Sequence, residues 1–305
     1  MRYLKMIGFS LIALIIAGCN QTPTMSKKEL AKLQLEKEQL GKILFFDKNL
    51  SKNRTQNCAT CHNPERGFAD DRDNGVGKMA SLGDDNKSLG DRQAPTASYA
   101  MFSPVFHYDK KNKKYKGGQF WDGREGTLAG QAGGPPLNPV EMGMPSKEAV
   151  VNRLKENEYY IQRFKEIYGE DIFKSNEKAF FAMTELIEAF EMTKEFAPFD
   201  LTVLEDLGRS IFFSNNNNSC ANCHVLKGED KKGETFTNYE YHNIGTPINH
   251  ELRAKNGTTA IDNGLLNNPA VTDEKQKGKY KVPTLRNVAV TGPYMHNGVF
   301  KDLRP

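Results

Sequence analysis

The sequence predicts a mainly α-helical protein built from two similar units with long loops. Three observations predict it. Apolar residues recur at helical spacing through two segments in the middle of the chain. A short stretch near residue 40 returns near residue 207, as in a duplicated unit. Between them lie Gly-, Asp-, Asn- and Lys-rich stretches that favour neither helix nor strand. The 305 residues suffice for about two domains. A hydrophobic share of 38% and a charged share of 26% suit a folded chain and exclude disorder or many membrane spans. The net charge of +4 is too small for a nucleic-acid binder, and no basic stripe with interleaved aromatics appears. The run Lys110-Lys111-Asn112-Lys113-Lys114 reads as a solvated loop.

The elements follow in chain order. Arg2 and Lys5 precede an apolar run over residues 6–16, too short to span a bilayer but suited to a signal sequence. Ile16-Ala17-Gly18-Cys19 then resembles a bacterial lipobox, so residues 1–18 read as a signal peptide and Cys19 as the lipidated first residue of the mature chain. Two acyl chains there would anchor the protein stably to a membrane. The expected location is periplasmic, on a bacterial membrane. Residues 19–38 read as a polar tether that passes into the start of a helix. A first unit is expected over 39–197. It includes one helical stretch at 146–168, with Ser146 as N-cap and Glu148 in the first turn, and another at 176–193. Ala197-Pro198 breaks the pattern, and the second unit is expected over 198–305.

The repeat aligns Leu40-Gly41-Lys42-Ile43-Leu44-Phe45-Phe46 with Leu207-Gly208-Arg209-Ser210-Ile211-Phe212-Phe213 without gaps. In each copy a polar loop then leads to a cysteine pair. Apart from Cys19, every cysteine belongs to Cys58-Ala59-Thr60-Cys61-His62 or Cys220-Ala221-Asn222-Cys223-His224. This CxxCH pattern is that of c-type haem attachment, in which two thioethers hold the porphyrin and the adjacent His ligates the iron. A thioredoxin-like pair lacks its βαβ context, one shared zinc would need far closer pairs, and two disulfides would not explain a His after both. The sequence therefore predicts two haems c, each in a cytochrome c-like unit, with the paired Phe residues packed against porphyrin or core.

Further segments carry a specific likeness. They include Cys61-His62-Asn63-Pro64-Glu65-Arg66-Gly67-Phe68-Ala69-Asp70, Ala94-Pro95-Thr96, Phe120-Trp121-Asp122-Gly123-Arg124 and Asn138-Pro139-Val140-Glu141-Met142-Gly143. Val282-Pro283-Thr284-Leu285-Arg286-Asn287-Val288 and Pro293-Tyr294-Met295-His296-Asn297-Gly298 complete the set. With these, the chain resembles the bacterial di-haem cytochrome c peroxidase superfamily, which includes the MauG-like proteins. The resemblance implies a peroxidatic haem on His62 and an electron-accepting haem on His224, with Trp121 carrying electrons between them. It implies that Gln131 and Glu141 stand over the peroxidatic iron, where an amide can orient peroxide and a carboxylate can move its proton. Pro135 matches the residue that limits access to that pocket. It also implies a structural Ca2+ held by carbonyls of Thr291 and Pro293 and by a side-chain amide. Here that amide is Gln93, where the family has Asn, and Ca2+ tolerates flexible oxygen geometry.

Two departures stand out. No His lies between His62 and His107, where many relatives carry one that caps the peroxidatic iron. An open site, active without reductive priming, is expected, with Lys78, Met79 and His107 as rival ligands. Relatives also place the distal ligand of the second haem about fourteen residues beyond the position of His296, as Met in peroxidases and Tyr in MauG. The chain ends at Pro305, so C-terminal truncation is expected, and Met295 is read as a core or haem-contacting residue. The leading function is reduction of H2O2 with electrons from a small cytochrome c or cupredoxin. The alternatives are MauG-like oxidation of a protein substrate and a non-enzymatic di-haem electron carrier. A homodimer is implied by family analogy alone.

Overall fold

The computed structural model describes residues 25–198, 212–214, 220–227 and 233–303. The signal, Cys19 and most of the second copy of the repeat lie outside them. Helix α1 (Lys27–Phe45) begins inside the segment read as tether. Ser26 and Glu29 close a reciprocal capping box there, which satisfies two backbone donors that a helix start would leave unpaired. Its far end buries Leu40, Leu44 and Phe45 against α7 (Asn176–Glu191). Gly41 sets that crossing. A Cβ at this position would lie 1.8 Å from the Leu186 carbonyl oxygen, so only Gly lets the two backbones approach so closely.

Around α7 pack α3 (Leu128–Ala132), followed by α4 (Gly134–Leu137), and α5 (Lys147–Lys155), followed by α6 (Glu158–Tyr168). The helix expected over 146–168 is in fact two. Ser146 caps the first as expected, but Asn157 accepts a hydrogen bond from the Tyr159 amide and starts a second helix at a new angle. Asn competes for backbone donors in this way, which suits it to caps rather than helix interiors. Leu154, Phe164, Met183 and Leu186 are fully buried in this core, each worth about 1.5–3 kcal/mol relative to exposure. Phe45 meets Phe190 and Phe196 edge-on at 5.5 and 5.4 Å, and Phe68 stacks on Phe196 at 3.9 Å.

Beyond the helical core the described residues are mostly loop, and among them are two small antiparallel ribbons. Strands β1 (His107–Asp109) and β2 (Lys114–Lys116) form a hairpin, and β3 (Tyr241–His242) pairs with β4 (Tyr280–Lys281). The lysine run expected as a loop is therefore the tip of a hairpin. Between β3 and β4 lies α8 (His250–Lys255). A buried cluster ties distant parts together: Arg92 bonds Asp122 at 2.8 Å and Asp262 at 2.6 Å, across 170 residues of sequence in the second case.

A pair of haem-attachment motifs and a pocket at the second

The two CxxCH motifs fold alike. Cys58–Cys61 is a single turn of helix, α2, and Cys220–Asn222 a 3-10 turn. In each the His amide donates back to the first Cys carbonyl, at 3.0 Å for His62 and 2.9 Å for His224. None of the four cysteines is in a disulfide. The imidazoles are also held alike. His62 Nδ1 lies 3.0 Å from the Phe68 carbonyl oxygen, and His224 Nδ1 lies 2.9 Å from that of Phe236. A carbonyl can only accept, so Nδ1 carries the proton and Nε2 keeps its lone pair for a metal. Burial lowers both pKa values and favours this neutral form.

Phe68 and Phe236 were not singled out from the sequence. They stand six residues after His62 and twelve after His224, so no gapless alignment relates them. Both adopt a left-handed backbone, with φ of 56° and 52°, which turns the carbonyl toward the His. Each ring then meets the Phe pair of its own unit: Phe68 with Phe45 at 6.5 Å, and Phe236 with Phe212 at 5.9 Å. Of the first pair, Phe45 is in the core while Phe46 is 41% exposed.

Around the second motif opens a cavity of about 520 Å3, lined by Trp121, Cys220, Cys223, His224, Met295 and His296 among others. Its size is that of a cofactor pocket, and it joins two thiols to one free imidazole nitrogen at a largely apolar wall. These residues fit a covalently held haem. At this cavity Trp121 donates its indole N–H to the Gln93 carbonyl at 2.9 Å, and its own carbonyl accepts the Lys281 amide at 3.0 Å. Lys281, also unforeseen, is half-buried beside it. Its ammonium donates to the Gly118 carbonyl, and burial pushes its pKa down to about 8. His296 stacks on Tyr280 at 3.5 Å and is pushed down to about 4, chiefly by burial.

At the first motif, Gln131 lies on α3 and Pro135 on α4, and the following loop folds back so that the Met142 amide donates to the Pro135 carbonyl at 3.2 Å. Glu141 sits on that loop, with one carboxylate oxygen 2.8 Å from the Asn138 amide nitrogen. Burial raises its pKa, against the opposing pull of Asn138 and Arg124. Glu141 lies close enough to the attachment turn to act on both thiols. Burial raises each of them, Cys61 to about 11, and the Glu141 charge adds to both shifts. A buried acid, Glu191 at the end of α7, also adds to the shift at Cys58. The two thiols, the free His62 nitrogen and the nearby Glu141 carboxyl would suit a covalently held haem with an acid–base group within reach.

Lys78, Met79 and His107 are the rival iron ligands. Lys78 is exposed, Met79 is buried with Val76, Ala80 and Leu252 and accepts a contact from Asn249, and His107 is exposed on β1. Of the residues expected at Ca2+, the Gln93 side-chain N–H donates to the Thr291 carbonyl at 3.5 Å, and Pro293 lines the same cavity. Among the described residues no cluster of three or more His, Cys, Asp or Glu could hold a metal ion.

A sequence profile of the di-haem cytochrome c peroxidase family matches residues 35–207. The chain is 49% identical to methylamine utilization protein MauG of Paracoccus denitrificans over 280 residues, covering 87% of this chain and 71% of that one. It is 33% identical to cytochrome c peroxidase Ccp of Escherichia coli over 277 residues, 86% of this chain and 50% of that longer protein. Among solved structures, the diheme peroxidase BthA of Burkholderia thailandensis superposes with a TM-score of 0.79 at 29% identity, covering 88% of this chain and 69% of that one. With the paired attachment motifs and the profile match over more than half its length, this chain belongs to the di-haem cytochrome c peroxidase family.

Proposed function

We propose that this protein reduces H2O2 to two waters, taking two electrons, one at a time, from a small cytochrome c or cupredoxin at the His224 unit. The observation that carries the reading is Glu141, a half-buried carboxyl held by the Asn138 side chain at 2.8 Å on the loop after α4, close enough to the Cys58–Cys61 turn for its charge to act on both thiols. The haem held there would supply an iron that binds peroxide and exchanges electrons with it. The chain's residues do the rest. Glu141 takes the proton from the oxygen that binds and returns it to the oxygen that leaves. Gln131 orients the peroxide with its amide, and Pro135 narrows the way in. Trp121, held at its N–H by Gln93 and bordering the second pocket, carries electrons between the units. An electron carrier would gain nothing from an acid at that turn. Glu141→Gln keeps the shape and removes the proton, and should slow peroxide cleavage about 10²–10⁴-fold; an unchanged rate would remove Glu141 from the mechanism.

The 49% identity to a protein named for methylamine utilization supports a second reading, oxidation of a protein substrate from outside the site. Steady-state H2O2 turnover with reduced cytochrome c separates the two, since only the peroxidase reading requires fast donor oxidation. With no His within reach on the loop after His62, turnover should need no prior reduction. We also place the protein in the periplasm, lipid-anchored through Cys19, with Ca2+ at Gln93, Thr291 and Pro293. Among the described residues no helix is long and apolar enough to cross a membrane.

A further inference from the structure

The β1–β2 hairpin concentrates charge beside the second attachment motif. Residues 102–117 hold five lysines and one aspartate, a surplus of four that equals the net charge of the entire chain. The hairpin is fastened to the second unit. The Gly117 amide donates to the Tyr239 carbonyl at 3.0 Å, and the neighbouring Asn238 amide donates to the Cys223 carbonyl at 2.9 Å. Phe106 meets Tyr241 edge-on at 6.0 Å. Lys114 pairs with Glu240 at 2.7 Å, and both of these charges act on the Cys223 thiol. One strand of backbone therefore separates the hairpin from the Cys223 attachment point.

The cations divide into two groups. Lys114 and Lys116 face Glu240 and Asp109 and serve as anchors. Asp109, the only acid of the hairpin, is spent within it: its carboxylate takes the Lys111 and Asn112 amides and the Asn112 side chain, which fixes the turn. Lys110, Lys111 and Lys113 remain exposed at the tip with no carboxylate in reach among the described residues. Beside them stand exposed apolar groups, Val105 at 62% and Tyr108 at 46%, the latter braced on Tyr115 at 4.9 Å. Cys220, the other attachment point, is itself exposed. A basic tip with an apolar shoulder, on a hairpin fastened beside the second attachment motif, is built to hold a protein, since a solvated loop needs neither a fixed turn nor aromatic bracing. Its charge selects an acidic partner and speeds the encounter.

We propose that the hairpin is the docking surface for the electron donor, and that this donor presents an acidic face around its redox centre. The inference rests on the peroxidase reading for its purpose, but its test does not use peroxide. The probe is mitochondrial-type cytochrome c, either native and basic or succinylated so that its lysines become carboxylates. Reduction of the haem-loaded protein is followed by stopped flow at low ionic strength. The acidic probe should react faster than the basic one, and salt should slow it. Reversing the tip with Lys110→Glu, Lys111→Glu and Lys113→Glu together should slow the acidic probe at least about tenfold and speed the basic one. The same charge change on the helical core, Lys165→Glu, Lys174→Glu and Lys178→Glu, should leave the ratio of the two rates unchanged. Carbodiimide should cross-link the acidic probe to Lys110, Lys111 or Lys113, as read by peptide mass spectrometry. A faster basic probe, an equal effect of the two triple variants, or cross-links confined to other lysines would each overturn the proposal. Failure of H2O2 turnover with intact docking would overturn only the peroxidase reading.

Discussion

Replacing Glu191 with Gln should abolish most of a pH-dependent loss of stability. Glu191 closes α7, is 6% exposed, and has one carboxylate oxygen with no hydrogen-bond partner. Burial, aided by Glu188 one turn earlier, pushes its pKa from 4.5 up to about 8. The negative end of the helix dipole acts in the same direction. A group whose folded pKa is raised keeps its proton in the folded state after the unfolded chain has lost it. Between about pH 4.5 and about 8, then, the folded state binds more protons, and stability falls as pH rises. At about 1.4 kcal/mol for each pH decade, the span from 4.5 to about 8 is worth about 5 kcal/mol, complete only above the folded pKa. Gln has the same shape and no proton to lose. Urea unfolding of the haem-loaded protein, followed by far-UV circular dichroism, should give the two proteins similar midpoints at about pH 5. Near pH 8.5 the variant should be more stable by several kcal/mol. Parallel pH profiles would refute the reasoning, because they would mean that Glu191 is ionised in both states across the range.

Other outcomes follow from the same structure. Gly41→Ala forces α1 and α7 apart at a contact with no spare volume, and should cost about 1–3 kcal/mol in urea unfolding. Arg92→Leu leaves Asp262 as a buried carboxylate without its cation and Asp122 with Arg124 alone, and should cost about 3–5 kcal/mol, part of it regained by adding Asp262→Asn. Cys58→Ala should lower covalent haem at the first site while leaving the second site loaded, as read by peptide mass spectrometry. Unchanged covalent stoichiometry would undermine the attachment assignment.

The sequence by itself determined the chemistry that is written in residue types at fixed spacing. Two CxxCH motifs are local, one turn each, so their cysteines and histidines could be assigned without a fold. The apolar periodicity of 176–193 marked α7, and Ser146 marked a helix start, because caps and periodicity act within a few residues. The tertiary structure decided what depends on distance across the chain. Asn157 splits a periodic stretch because its side chain, in place, captures a backbone amide. Phe68 and Phe236 serve equivalent histidines, yet differ in spacing from them, so only their carbonyls in space reveal the relation. Glu191 became notable only when α7 carried it beside Cys58, where water is excluded. The lysine run looked like any solvated loop until Glu240, Tyr239 and Tyr241, more than a hundred residues away, fixed it beside the second motif. Composition supplies charge, but only the fold decides what that charge faces.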